Sequence, residues 1–353
     1  MALLIFFIIL GVLIFVHELG HFSVAKFFGI RVDEFGMGFP PLAKKLFTRN
    51  GTDYTLNWIP FGGFVKIYGE DSLGSDDPDY HRSLVSKPWY QQIAVLIAGV
   101  TMNIILAWVL FSGASLLGTP TIVSDGTGTL TVLGVASDSP AQTAGLTAGD
   151  HIIKLSYDKV VVKDFISRDQ FIDTLQTLPD NSPVTLTIEK NKKQSDILIT
   201  PKIAPETNKK IIGAQIDMVT VEKLGFFNAL IHGAKTTGTM IVQTNQAFGH
   251  LIGGAFTGTA DMNALTGPVG LVGIVGDASK IGFGYLLSLT AMISVNLAVI
   301  NLAPFPALDG GRIVVVLVEA ITRRKVSQKW MGIVNSIGFF ILIALMLVIT
   351  FHD

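Results

Sequence analysis

The chain has 353 residues, of which 49% are hydrophobic and only 15% charged, with a formal net charge of -1 and a mean hydropathy of +0.53. That composition describes a membrane protein rather than a soluble globule, and it offers no concentrated basic surface for nucleic acid. There are no cysteines, which excludes disulfides, iron–sulfur clusters and thiol catalysis and leaves His, Asp and Glu to hold any metal.

Four apolar segments have the length a bilayer requires, roughly 2–29, 90–117, 284–303 with a continuation to about 320, and 331–351. The first lacks a basic leader region and an A-x-A cleavage site, so it is expected to stay as a membrane helix. Basic residues crowd two connections: Arg31, Lys44, Lys45, Arg49, Lys66, Arg82 and Lys87 after the first span, and Arg323, Arg324, Lys325 and Lys329 before the last. By the positive-inside rule both connections face the cytoplasm, which places the long segment of about 118–225 and both termini outside.

Within the first span, His17-Glu18-Leu19-Gly20-His21 places two histidines four residues apart on one helical face. Both imidazoles can reach one zinc ion there, and Glu18 can reach a water on that ion. Leaving two histidines and a glutamate unpartnered in a membrane is costly, which favours a metal over a plain polar patch. The metzincin pattern is excluded, because Val24 and Phe27 stand at its last two motif positions.

Further along, Tyr54 to Tyr68 is β-rich and contains the turn Pro60-Phe61-Gly62-Gly63. On its own residues it reads as an ordinary cytoplasmic hairpin between two spans. Beyond the second span, strands such as Thr129–Val135 and Val184–Glu189 mark a separately folding domain at 118–217. There Asp138-Ser-Pro-Ala-Gln-Thr-Ala-Gly-Leu-Thr-Ala-Gly-Asp-His-Ile-Ile-Lys154 resembles the PDZ signature of a loop, a short helix, a Gly-Asp turn and a strand. The resemblance implies peptide capture at a sheet edge, with a spacer that blocks bulky proteins as the alternative. The segment 218–283 reads as an amphipathic helix at the membrane surface, Lys223 to Leu251, followed by a loop. His232 and His250 in it read as solvated rather than metal-bound.

Zinc needs a third protein ligand and an open position for water. The best candidate is Asp309, in Asn296-Leu-Ala-Val-Ile-Asn-Leu-Ala-Pro-Phe-Pro-Ala-Leu-Asp-Gly-Gly-Arg312, where two prolines and two glycines interrupt an apolar span. Broken helix at membrane depth is tolerated where it lines a protein-enclosed or watery cavity, and a carboxylate there has a reason to be present.

HELGH with a distant N-x-x-P-x-P-x-L-D-G-G is similar to the site-2 protease family, in its bacterial RseP-like branch. Phe35-Gly-Met-Gly-Phe-Pro40, Ile59-Pro-Phe-Gly-Gly-Phe-Val-Lys66 and Gly267-Pro-Val-Gly-Leu271 extend the match over nearly the whole chain. Two features depart from the family pattern: Gly99-Val100 stands where Gly-Pro is usual, although Asn103 is kept, and one PDZ-like unit is visible where the best-known members carry two.

The resemblance implies that His17, His21 and Asp309 bind one catalytic zinc and that Glu18 is the base. It also implies that the hairpin dips into the membrane and pairs with the substrate by strand addition, and that Asn296 and Asn301 contact the substrate backbone beside its Phe61, Gly62 and Gly63, although Asn in membrane helices also simply bonds neighbouring helices. The expected fold is a polytopic α-helical membrane protein with about four transmembrane helices, a membrane-associated β-hairpin and an inserted extracytoplasmic PDZ-like α+β domain. Its units are 1–117, 118–217, 218–283 and 284–353. The expected activity is zinc-dependent hydrolysis of single-span membrane proteins, such as anti-sigma factors or remnant signal peptides, in the bacterial cytoplasmic (inner) membrane, with the site near the cytoplasmic side. A catalytically silent PDZ-bearing membrane adaptor is the alternative, against which the intact His17, Glu18, His21 and Asp309 argue.

Overall fold

The structure is a computed structural model, and it describes residues 1–70, 77–123, 128–136, 138–190, 193–204, 208–258 and 267–352. The chain opens with α1 (Ala2–Phe27), which Gly29 closes by taking a left-handed φ of +69°. Two long strands follow, β1 (Val32–Arg49) and β2 (Thr52–Ile67), and then α2 (Trp89–Leu117), bounded by Pro88 and Gly118. α2 runs without a break through Val100, the residue that replaces the family proline.

The hairpin is larger than expected and turns elsewhere. Its turn is Asn50-Gly51, both at positive φ (+50° and +74°) as a two-residue primed turn requires, and not the Gly62-Gly63 pair. The two strands then curl on each other. Glu34 to Met37 pair on one side with Lys66 to Gly63 and on the other with Asp53 to Leu56, while Leu42 to Arg49 pair with Asn57 to Thr52. Gly63 to Ile67 therefore form an outer edge of the curled sheet. Phe35, Val65 and Ile67 pack it against Ala25 of α1 and Val95 of α2.

The inserted domain consists of β3 (Thr119–Ile122), β4 (Thr129–Val135), α3 (Pro140–Thr143), β5 (His151–Tyr157), β6 (Val160–Lys163), α4 (Arg168–Thr177), β7 (Val184–Lys190), β8 (Lys193–Ile199), β9 (Lys202–Ile203), β10 (Lys210–Ile211) and β11 (Ala214–Glu222). One antiparallel sheet runs in the order β3-β11-β4-β5-β7-β8, with β6 on β5. Leu130, Val132, Leu155, Phe171, Leu186 and Met218 fill its core. In the loop–helix–turn signature, Ser139 caps α3 by accepting from the Gln142 amide, and buried Asp150 accepts from the backbone and hydroxyl of Thr147. The domain ends later than residue 217, because β3 pairs with Val219 to Glu222 of β11. A side chain on Gly118 would meet Val221 and Lys223, so the chain enters and leaves the domain at one place.

Two expectations for 218–283 are refined. The amphipathic helix α5 (Phe226–Thr257) packs against the bundle in addition to carrying the polar face expected of a membrane-surface helix. Met240 and Ile241 pack with Ala107 and Phe111 of α2, Trp108 donates its indole N–H to the Leu230 carbonyl at 2.9 Å, and a side chain on Gly233 would run into Ser112. The stretch expected as loop contains α6 (Pro268–Ile281), whose Val275 and Ala278 bury against Ile9 and Leu13 of α1.

The third apolar segment is two helices, α7 (Phe283–Leu302) and α8 (Asp309–Thr322), separated by the proline-bearing residues 303–308. The last helix is α9 (Gln328–His352). Among the described residues, four helices are long and apolar enough to cross a membrane: α1, α2, α7 and α9.

Candidate metal centre

Glycines decide where the site forms. α1 and α2 cross at Gly20 and Gly99: a side chain on Gly20 would strike the Ala98 carbonyl, and one on Gly99 would strike both His17 and His21. The missing Cβ atoms allow the two imidazoles, each 7% exposed, to stand edge to face between the helices. Asp309 arrives as the first residue of α8. Gly310 and Gly311 are helical rather than a flexible turn, and they are small because the carbonyls of Leu302, Ala303 and Phe305 press on them.

From the other side α9 supports the same connection. Gly338 leaves room for Pro306, and Asn335 accepts from the Ala307 amide at 3.4 Å. Ala307 has φ +72°, a conformation that costs an L-residue about 1 kcal/mol and therefore needs such bracing.

Three ligand atoms converge. His17 Nε2 and His21 Nε2 are 3.1 Å apart, and Asp309 Oδ2 lies 3.1 and 3.4 Å from them. Tetrahedral ligands at about 2.0–2.1 Å from zinc sit roughly 3.3 Å from one another, so the spacing fits that ion. The tautomers fit too. His21 Nδ1–H donates to the Val95 carbonyl at 2.8 Å, which leaves Nε2 as a bare acceptor. His17 Nδ1 lies 3.3 Å from the Asn103 amide. With that amide turned so that Oδ1, a buried atom otherwise without a hydrogen bond, accepts from Nδ1–H, His17 Nε2 is bare as well. Two imidazole lone pairs and a buried carboxylate oxygen with no donor then face one point, which calls for a cation. Among the described residues this is the one group of three or more potential metal ligands gathered so closely.

Asn103 has no local signal in the sequence beyond being a polar residue on an apolar helix. Its place is fixed in turn by Ser294 of α7, whose hydroxyl donates to the Asn103 carbonyl at 2.8 Å. Replacing Asn103 with Leu is expected to weaken zinc binding about 10–100-fold, the range for losing an outer-shell partner of a metal-bound His. Chelator competition measures this, and an unchanged affinity would remove Asn103 from the centre.

Glu18 lines the metal cavity of about 250 Å³ together with the three ligands and Glu70. Glu70 in turn forms an ion pair with Arg312, one turn beyond Asp309. The other expected site residues fall in two places. Gly62 and Gly63 stand beside Glu18, and a Cβ on Gly63 would lie 3.7 Å from Glu18 Cγ. The side chain of Phe61 lies outside the described residues. Asn296 accepts from the Thr244 hydroxyl at 2.8 Å and so ties α7 to α5, the bland alternative for an intramembrane Asn. Asn301 is half-buried near the end of α7. His232 sits 3.1 Å from the Ser115 hydroxyl, and both it and the exposed His250 are outside the cluster.

A two-His, one-Asp cluster with a neighbouring Glu, set among apolar helices of membrane-spanning length, defines a membrane metalloprotease of the site-2 type. The chain belongs to peptidase family M50, whose model matches residues 5–345, and with it the chain is a zinc-dependent membrane enzyme. A protein of Clostridium perfringens named "Putative zinc metalloprotease" is 38% identical over 97% of this chain and 95% of its own length. One from Fusobacterium nucleatum with the same designation is 33% identical over 100% and 98%. A PDZ domain of an SdrC-like protein from Listeria monocytogenes is 23% identical, covers 26% of this chain and 88% of its own, and has a TM-score of 0.22.

Proposed function

We propose that the chain is an intramembrane endopeptidase that hydrolyses peptide bonds within or near single-span transmembrane segments, with His17, His21 and Asp309 holding zinc and Glu18 moving the proton. The observation that carries this reading is the meeting of three ligand atoms from α1 and α8 beside Glu18, inside a bundle of membrane-length helices. When bound, zinc supplies a Lewis acid that polarises the scissile carbonyl and acidifies the attacking water. Glu18 accepts the proton of that water and delivers it to the leaving amine.

The substrate must present an extended backbone, because a helix hides its peptide bonds in internal hydrogen bonds. The outer edge Gly63 to Ile67 of the curled sheet faces the metal cavity through Phe64, Val65 and Ile67, which favours strand addition there over an ordinary cytoplasmic hairpin. Asn301 is then available to backbone groups of the unwound segment, whereas Asn296 must first give up Thr244.

The metal centre lies, in this reading, toward the cytoplasmic side of a bacterial inner membrane, which the basic connections support. The PDZ-like domain then stands outside, where it captures a peptide end or keeps folded ectodomains away. Anti-sigma factors and remnant signal peptides both suit this arrangement, being single-span segments already trimmed outside.

The test is reconstitution of the purified protein in lipid vesicles with a single-span substrate. Cleavage is expected inside or at the edge of the span, to stop on zinc chelation and to return with zinc. Cleavage that persists in the apo-enzyme would overturn the assignment.

A further inference from the structure

Glu18 borders two cavities. On one side lies the metal cavity; on the other is a separate, mostly apolar space of about 170 Å³ between α1 and the curled sheet. α1 supplies Gly11 and Phe15 to its wall, and the sheet supplies Phe35, Met37 and Leu56.

We infer that this second cavity is the specificity pocket of the protease, and that it takes a large apolar side chain, branched aliphatic or aromatic, from a substrate residue flanking the scissile bond. The inference rests on the hydrolytic reading above and gives its substrate a chemical preference.

Size is the first argument. An apolar cavity of about 150 Å³ holds a benzene ring, so this one fits a Phe or Leu side chain and is too large to be filled by Ala. Its chemistry is the second. Asn57 is the one amide in the wall, and it is already committed, its Nδ2 donating to the Gly38 carbonyl at 3.1 Å. A charged substrate side chain would find only the Glu18 carboxylate, whose proton transfer it would disturb.

Position is the third argument. The outer sheet edge begins at Gly63, which leans on Glu18, and side chains of an added strand alternate faces. A substrate strand on that edge, with its carbonyl toward the ligands, directs a side chain next to the reacting bond past Glu18 into this space. Gly36, Gly38, Gly62 and Gly63 line the space on the sheet side.

The experiment uses the full zinc-loaded enzyme and a series of single-span peptides that differ only at the residue beside the cleaved bond, after mass spectrometry has fixed that bond. Ala, Leu, Phe, Asp and Lys are compared by kcat/KM. Leu and Phe are expected to exceed Ala by at least about tenfold, the discrimination an apolar pocket achieves, with Asp and Lys lowest.

Two variants read the pocket itself. A Cβ on Gly11 meets no atom within 4 Å, so Gly11→Leu extends into open space at the cavity instead of forcing apart the protein, and leucine is the better helix former. It is expected to lower the Phe-to-Ala ratio at least tenfold with zinc content at the wild-type level. Leu56→Ala, which widens the opposite wall, is expected to move the ratio the other way. Cleavage by the wild type with a flat profile, or the same profile in wild type and both variants, would overturn the pocket and leave the protease standing. No zinc-dependent cleavage of any peptide would overturn both.

Discussion

Glu18→Gln is expected to retain about one zinc per chain and to lose hydrolysis of a single-span substrate by about 10²–10⁴-fold, the contribution of a positioned general acid–base. The substitution keeps size and hydrogen-bonding capacity while removing the group that accepts a proton. Glu18 is not among the three converging ligand atoms, so the metal should stay. Zinc content and turnover must therefore be measured on the same sample. Metal loss in parallel with activity would make Glu18 a ligand, and full activity would end its role as base. In a cell, the same variant should accumulate uncut membrane stubs, which identifies the substrates.

Gly99→Ala is expected to be nearly as damaging, although it replaces no ligand and adds only one methyl group. That methyl would occupy the space of His21 Nε2 and His17 Cε1. The obstacle is a ring on one side and the α2 backbone on the other, so something must shift. Moving either imidazole breaks the His21–Val95 or His17–Asn103 hydrogen bond that orients it. Zinc affinity should fall by more than about 100-fold, beyond the usual loss for an outer-shell partner. Because Ala is a better helix former than Gly, α2 itself should be no less stable, which separates site damage from unfolding. Wild-type affinity in Gly99→Ala would mean that the two helices do not cross as closely as described.

How much of this was readable beforehand varied with the range of the interaction. His17 and His21 were legible because four residues bring them to one face of one helix. Asp309 was legible for a different reason: a carboxylate between two prolines and two glycines in an apolar span has few other uses. The hairpin turn was also printed locally, as Asn50-Gly51, but Gly62-Gly63 drew the reading away from it, and at Gly63 a Cβ would crowd the Gly36 carbonyl at 3.1 Å.

Asn103 was singled out only by the family resemblance, and neither its contact with His17 nor the Glu70–Arg312 pair could have been read. Their partners lie 86 and 242 residues away, and nothing near them in sequence signals the match. α6 was hidden because Gly-Pro-Val-Gly opens it and further glycines dilute its helical character, so its burial against α1 decides its form. α5 showed its amphipathic pattern, yet pattern alone does not say whether the apolar face meets lipid or the bundle.

The order in which the ligands occur along the chain sets when this enzyme can exist. His17 and His21 are made first and enter the membrane on α1. Asp309 comes only after the curled sheet, α2, the inserted domain and α5 to α7 have been synthesised, and its loop is braced by α9, which lies further along the chain still. A centre assembled from such distant segments cannot form locally, as a zinc finger does, and its closure is among the slow, non-local steps of folding. On the proposed reading, a protease that hydrolyses membrane segments stays without its metal centre until those distant segments meet, while unpaired apolar helices, its own included, are still exposed.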